Sequence, residues 1–315
     1  YKILKINLKE NPGFKMPDSL GNYRTWYDFF QGSMGGGRTT IILIESTLQK
    51  EYKGEWVDAV ELYYQNEKME EMDKWALHRL QEIVKRVCDA YDRYQFHVVF
   101  YTLYNYCTVD LSALYLDVLK DRLYTTKANS AARRSGQSAI FIILKAMTRL
   151  LAPIFTFTAE EIWKAMPAWK EKEASVHLAR LPRADELYAN PSLGDTWKAM
   201  IDVRAEIAKA LEQARKDKVI GHSLDARVSI AAPEKLKALL ESHRQDLPAF
   251  LIVSQLELTE PDKIKNQFQS EEIQGLIVGV EKARGEKCQR CWIYSESMGK
   301  DKQHPQVCDR CLTNL

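Results

Sequence analysis

The sequence is short of cysteine, of glycine and proline, and of long uncharged apolar runs. Six cysteines in 315 residues are too few for the disulfide framework of a secreted protein, and a reducing cytoplasm suits them better. The most apolar stretch, AIFIILKAMTRLLAPIF, is broken by Lys145, Arg149 and Pro153. That excludes a membrane span, which needs about 18 or more uninterrupted apolar residues. The opening YKILKINLKE has neither the apolar core nor the small-residue cleavage site of a secretory signal. It begins at Tyr1 rather than Met, which points to a piece of something longer. Gly35, Gly36, Gly37 and Arg38 lack the second glycine and following lysine of a phosphate-binding G-x-x-x-x-G-K-[ST] loop, so QGSMGGGRTT reads as a flexible joint.

Composition is otherwise ordinary for a globular protein, with 45% apolar and 28% charged residues and a net charge of +2. The near-neutral total hides one asymmetry. Between Tyr115 and Leu150, Lys120, Arg122, Lys127, Arg133, Arg134, Lys145 and Arg149 face only Asp117 and Asp121. Such an excess holds an anionic partner, or lines a solvated helix face.

Periodicity sets the expected fold class: mainly α, a helical bundle followed by a small α/β unit and a C-terminal four-cysteine zinc knuckle. Trp75, Leu80, Ile83, Val84, Val87 and Tyr91 recur as one helical stripe. A second pattern runs through HVVFYTLYNYCTVDLSALYLDVLKDRLY, with Leu116, Leu119 and Leu123 continuing its apolar face and Cys88 and Cys107 read as small core residues. A third covers 137–151 and stops before Pro153. Thr158 and Glu161 have capping-box spacing for a fourth. Past two linker-like stretches, a long helix over 196–218 precedes a strand alternating at Ala226, Val228 and Ile230. Helical PEKLKALLESH and strand-like LIVSQLEL and GLIVGVEKA complete the α/β unit. The expected boundaries are 1–65 for a linker-like segment, 66–190 for the bundle, 191–284 for the α/β unit and 285–315 for the knuckle.

Cys288, Cys291, Cys308 and Cys311 form C-x2-C-x16-C-x2-C. Each C-x2-C turn offers two sulfurs from one tight loop, and the intervening chain is long enough to close a tetrahedron around one structural zinc. Four protein ligands leave no position for a catalytic water. Lys287, Arg290, Trp292 and Arg310 add cations and one large aromatic. That combination suits single-stranded nucleic acid, although Trp292 has an equal alternative as the miniature core of the knuckle. A protein-docking zinc ribbon on a helical scaffold is a third reading of the same residues.

The motifs DKWALHRLQEIV, LSALYLDVLKDRLYT, APIFTFTAEEIW, VRAEIAKALEQARKDKVIGHSLDARV and GEKCQRCW with CDRC resemble the C-terminal part of bacterial isoleucyl-tRNA synthetases, class I aminoacyl-tRNA synthetases, over about residues 66–315. GFKMPDSLGN resembles the family's K-M-S-K-S-L-G-N signature at Lys15, Met16, Ser19, Leu20, Gly21 and Asn22. It departs at Pro17 and Asp18, where an acid replaces the lysine that would neutralise pyrophosphate charge. H-I-G-H, the nucleotide-binding sheet and the editing domain are absent.

The resemblance implies an anticodon-binding bundle, with ATP and Mg serving only the full-length enzyme, and a monomeric, cytoplasmic chain whose partner is an isoleucine-accepting tRNA. Lys120, Arg122, Lys127, Arg133 and Arg134 would meet its phosphates. Arg290 and Trp292, with Lys218 and His222 behind them, would meet bases. His222 is also a natural turn residue. The alternative to a ligase region is a catalytically inactive, synthetase-like RNA-binding or regulatory module.

Overall fold

The computed structural model describes residues 69–169 and 172–315, together with the backbone of four short strands upstream. Those strands are β1 (Ile3–Leu8), β2 (Met16–Pro17), β3 (Tyr23–Arg24) and β4 (Ala59–Tyr64). β1 pairs in parallel with β4, and β2 antiparallel with β3. The joint QGSMGGGRTT and the β-like run TTIILIES that overlaps its end lie outside the described residues. The chain divides into two compact units, one formed by 1–106 and 134–190, the other by 107–133 and 191–315.

In the first unit, α1 (Glu71–Asp92) buries the expected stripe, with Trp75, Leu80, Ile83, Val84 and Val87 all inside. Its polar positions hold irregular chain in place. His78 Nδ1 accepts the Asn190 N–H at 2.9 Å, Gln81 Oε1 accepts the Asp185 N–H at 2.8 Å, and the Cys88 thiol donates to the Pro182 carbonyl. A loop without its own ladder thereby finds partners for its backbone groups. The buried Asp73 carboxylate accepts from Ser135 Oγ, which itself accepts the Glu70 N–H at 3.0 Å. α2 (Phe96–Asn105) follows α1.

A π-helical segment, Tyr106–Tyr115, continues α2 into α3 (Leu116–Thr125), so the second sequence pattern is one unbroken helical run. The wider π turns shift its phase. Tyr115 and Leu119 are fully buried, whereas Leu116 is exposed and Cys107 is exposed rather than a core residue. α4 (Ala131–Leu151) ends as the proline at 153 requires. α5 (Thr156–Ala165) starts two residues before Thr158. Phe155 stands at its N-cap without a side-chain hydrogen bond, so the Thr158 capping box does not form. Trp163 from α5 centres a small core with Ala152, Ala159, Met166 and Val176.

The second unit is built on α6 (Pro191–Lys216), which starts on a proline, where the missing N–H costs nothing. Trp197, Met200, Val203, Ile207 and Leu211 form its buried face. A four-stranded mixed sheet has the order β6 (Gln255–Leu258), β5 (Ala226–Ala231), β8 (Ile277–Lys282) and β7 (Gln267–Gln269). Val228 pairs antiparallel with Val280 and parallel with Leu256. The parallel β5–β6 connection passes through α7 (Glu234–Ser242) and α8 (Leu247–Leu251), and Ala226, Val228 and Ile230 alternate inward as expected. The sheet hands over to β9 (Glu286–Lys287) and β10 (Tyr294–Ser295), an antiparallel pair, and the chain closes with α9 (Asp309–Leu312). Gly285 makes the handover at φ +85°, and a β-carbon there would run into the Ser295 carbonyl.

Candidate metal centre and nucleic-acid interface

The four cysteines Cys288, Cys291, Cys308 and Cys311 are all buried, and their sulfurs lie within 4.8 Å of one another. Cys291 Sγ and Cys308 Sγ are 3.7 Å apart. A zinc–thiolate tetrahedron with bonds of ~2.3 Å has edges of about 3.8 Å, so the donor set fits one structural zinc ion. The turn is prepared locally. Cys288 N–H bonds to the Ile293 carbonyl, the Trp292 N–H to the Cys288 carbonyl, and the Cys308 N–H points at Cys288 Sγ. Burial pushes the Cys288 thiol up, but N–H groups of Cys291, Cys308 and Arg290 outweigh it and bring it down to about 6. Burial, with the neighbouring Cys291 thiol, pushes Cys311 well up. Each sulfur that ionises makes its neighbours harder to ionise, and a bound cation would offset that repulsion.

Ile293, Met298 and Val307 pack on the sulfurs as the knuckle's small apolar core. Trp292 does not join them: it is 61% exposed, with φ +66° and Lys287 Nζ 5.8 Å above its ring. The ring is thus presented to solvent beside a cation.

The knuckle is tied to the end of α3 within the same unit. Arg310 donates through both terminal nitrogens to Asp121, at 2.6 and 2.9 Å, and its positive charge also acts on the Cys291 thiol. Despite burial, these partners hold its guanidinium well above the usual range. Arg290 Nη2 donates to the Thr125 and Asn314 carbonyls, and Asn314 Oδ1 accepts the Lys127 N–H at 3.1 Å. Arg133 Nη1 donates to the Thr126 carbonyl and Arg122 Nη1 to that of Ala132, each at 3.4 Å. The last carbonyls of a helix lack partners and carry its negative dipole end, so arginines gather there.

This sorts the expected RNA-facing residues. Arg122, Arg133 and Arg290 are half-buried and bonded to backbone, while Lys120, Lys127 and Arg134 are exposed and Trp292 projects outward. Lys120 shares Asp117 with Arg204. Arg134 falls in the first unit and the others in the second. His222 is a turn residue: its Nδ1 accepts the Leu224 N–H, and Asp225 accepts the His222 N–H in a reciprocal cap. Lys218 lies just past α6 with φ +59°. Met16 stands in β2, whereas Lys15 and Ser19 lie outside the described residues. Asp121 and Asn314, which anchor the knuckle, carry no signal in the sequence.

Fold and site together define a helix-rich protein closed by a knuckle whose four cysteines can hold one structural metal ion. The chain belongs to the family described as the anticodon-binding domain of tRNA ligase, whose model matches residues 73–230. A second model, the zinc finger found in FPG and IleRS, matches residues 285–314. Among curated proteins, isoleucine–tRNA ligases are similar. That of Syntrophotalea carbinolica is 45% identical over 246 residues, 78% of this chain and 26% of the relative. Those of Geobacter sulfurreducens and Caldanaerobacter subterraneus are 42% and 43% identical over 245 and 252 residues, 26% and 27% of their lengths. The chain therefore spans about a quarter of the relatives it matches. Among the described residues no helix is long and apolar enough to cross a membrane.

Proposed function

We propose that this chain is the tRNA-binding C-terminal region of an isoleucine–tRNA ligase, working in the cytoplasm as a monomer. One structural zinc sits on Cys288, Cys291, Cys308 and Cys311. The attachment of isoleucine, with its ATP and Mg, belongs to the full-length enzyme, in which Lys15, Met16 and Ser19 would lie on the ATP loop. The observation that carries the reading is the bonding of the knuckle to the α3 end through Arg310 and Asp121. It sets an exposed aromatic and a cation-bearing helix end in one rigid piece, the pairing that holds single-stranded RNA by stacking and phosphate contact. Lys120 and Lys127 meet phosphates there and Trp292 meets a base. Arg134 is a further phosphate contact, while Arg122, Arg133 and Arg290 hold the frame and add positive potential.

Binding of the zinc-loaded chain to isoleucine-accepting tRNA and to a non-cognate tRNA, at two salt concentrations, tests this. Tighter cognate binding that weakens with salt is expected; absent or salt-insensitive binding contradicts it. Pro17 and Asp18 favour a second reading, an inactive synthetase-like RNA-binding module. A longer natural gene carrying H-I-G-H and an intact K-M-S-K-S would dismiss that reading.

A further inference from the structure

Where the end of α6 meets β8 and the knuckle's β10, the second unit holds a cation-lined depression of about 500 Å³. Three separate stretches wall it: the end of α6 and its following turn with Arg215, Lys218 and Gly221, the end of β8 with Lys282, and β10 with Tyr294. Lys218 occupies the left-handed position after a helix that glycine ordinarily takes, so a lysine there bears strain that a glycine would not.

Neither Lys218 nor Lys282 has an ion-pair partner among the described residues, and both are exposed. Arg215 pairs with Glu212 along α6. Asp225, the one acid on the wall, accepts the Gly221 and His222 N–H groups at 3.1 and 2.7 Å, which offset its charge and fix it. Tyr294 is held by its own N–H, which donates to Ser254 Oγ at 2.7 Å, while that hydroxyl donates to the Leu224 carbonyl. The walls are thus positioned before any ligand arrives. The volume falls in the range of small-ligand clefts, about 300–1,000 Å³, and is much larger than a phosphate needs.

We propose that this depression takes one nucleotide of a single-stranded stretch of the bound RNA, its flanking phosphates on Lys218 and Lys282 and its base against Tyr294. The assignment rests on the RNA-binding reading above and adds a contact surface to it. Cations beside an aromatic face are what an unpaired nucleotide selects, and a bare anion leaves the tyrosine unused.

The test uses the whole zinc-loaded chain and a fluorescent isoleucine-accepting tRNA over a salt series. Lys218→Gln with Lys282→Gln should make the slope of log affinity against log salt shallower by about 1.4, two contacts at ~0.7 each. The charge-matched pair Lys235→Gln with Lys265→Gln, exposed elsewhere on the unit, should leave it close to the unsubstituted value. Tyr294→Ala should weaken binding about fivefold or more without changing the slope. Equal slopes for the two double variants overturn the proposal while leaving the ligase reading intact.

An oligouridylate of about five nucleotides, titrated against the same proteins, separates the two ideas. Oligomer binding that needs Lys218 and Lys282, in a chain that ignores tRNA, sinks the ligase reading and keeps the depression. Inorganic phosphate that displaces the oligomer at equal concentration reduces the depression to a phosphate site and overturns the nucleotide assignment.

Discussion

Replacing Asp121 by Asn and Arg310 by Gln, singly and together, isolates the link between the knuckle and α3. The pair is two-pronged at 2.6 and 2.9 Å, and its side chains keep 42% exposure on Arg310 and 30% on Asp121. Fully exposed pairs couple by ~0.2–1 kcal/mol, whereas hydrogen bonds to charged groups reach ~1.5–3 kcal/mol when shielded. Intermediate exposure with fork geometry puts the coupling at about 1 kcal/mol. A double-mutant cycle on urea unfolding of the zinc-loaded chain measures it directly. The coupling should shrink at 1 M salt, where the screening length falls to ~3 Å. Arg310→Gln should also speed zinc transfer to a chelator more than Asp121→Asn does, because the Arg310 charge, unlike that of Asp121, favours the ionised Cys291 sulfur. A coupling below ~0.3 kcal/mol at low salt, or equal zinc-release rates for the two single variants, would refute the reasoning.

Trp292→Ala should leave stability within about 0.5 kcal/mol, the ring being mostly solvent-exposed, yet cost ~1–3 kcal/mol of RNA affinity by anisotropy titration. His78→Leu deprives the Asn190 N–H of its acceptor at a part-buried site and should lower stability by about 0.5–1.5 kcal/mol, seen as a lower urea midpoint. Gly285→Ala meets both a left-handed backbone and the Ser295 carbonyl; it should destabilise the chain by more than ~1 kcal/mol and lower its zinc content on metal analysis.

Local patterns were the legible part of the sequence. The stripe from Trp75 to Val87 and the alternation at Ala226, Val228 and Ile230 repeat at the helical and strand periods, so burial followed from spacing alone. The C-x2-C pairs likewise specify their own turns, and the four sulfurs converge. Where a phase shifts, spacing misleads: the π segment before Leu116 turns that residue and Cys107 outward. The spacing at Thr158 matched a capping box, yet α5 begins earlier, at Thr156. Non-local pairings were illegible. Nothing near Asp121 announces an arginine 189 residues away, and the backbone roles of Arg290 and Arg133 depend on where α3 ends.

The central claim is that the metal-held knuckle and the α3 end act on RNA as one piece. Measuring the affinity of the chain for isoleucine-accepting tRNA before and after zinc removal by a chelator, over a salt series, tests it most directly. Without zinc, binding should be at least tenfold weaker and the salt slope shallower, both restored by adding the metal back. Unchanged affinity and slope in the zinc-free chain would contradict it.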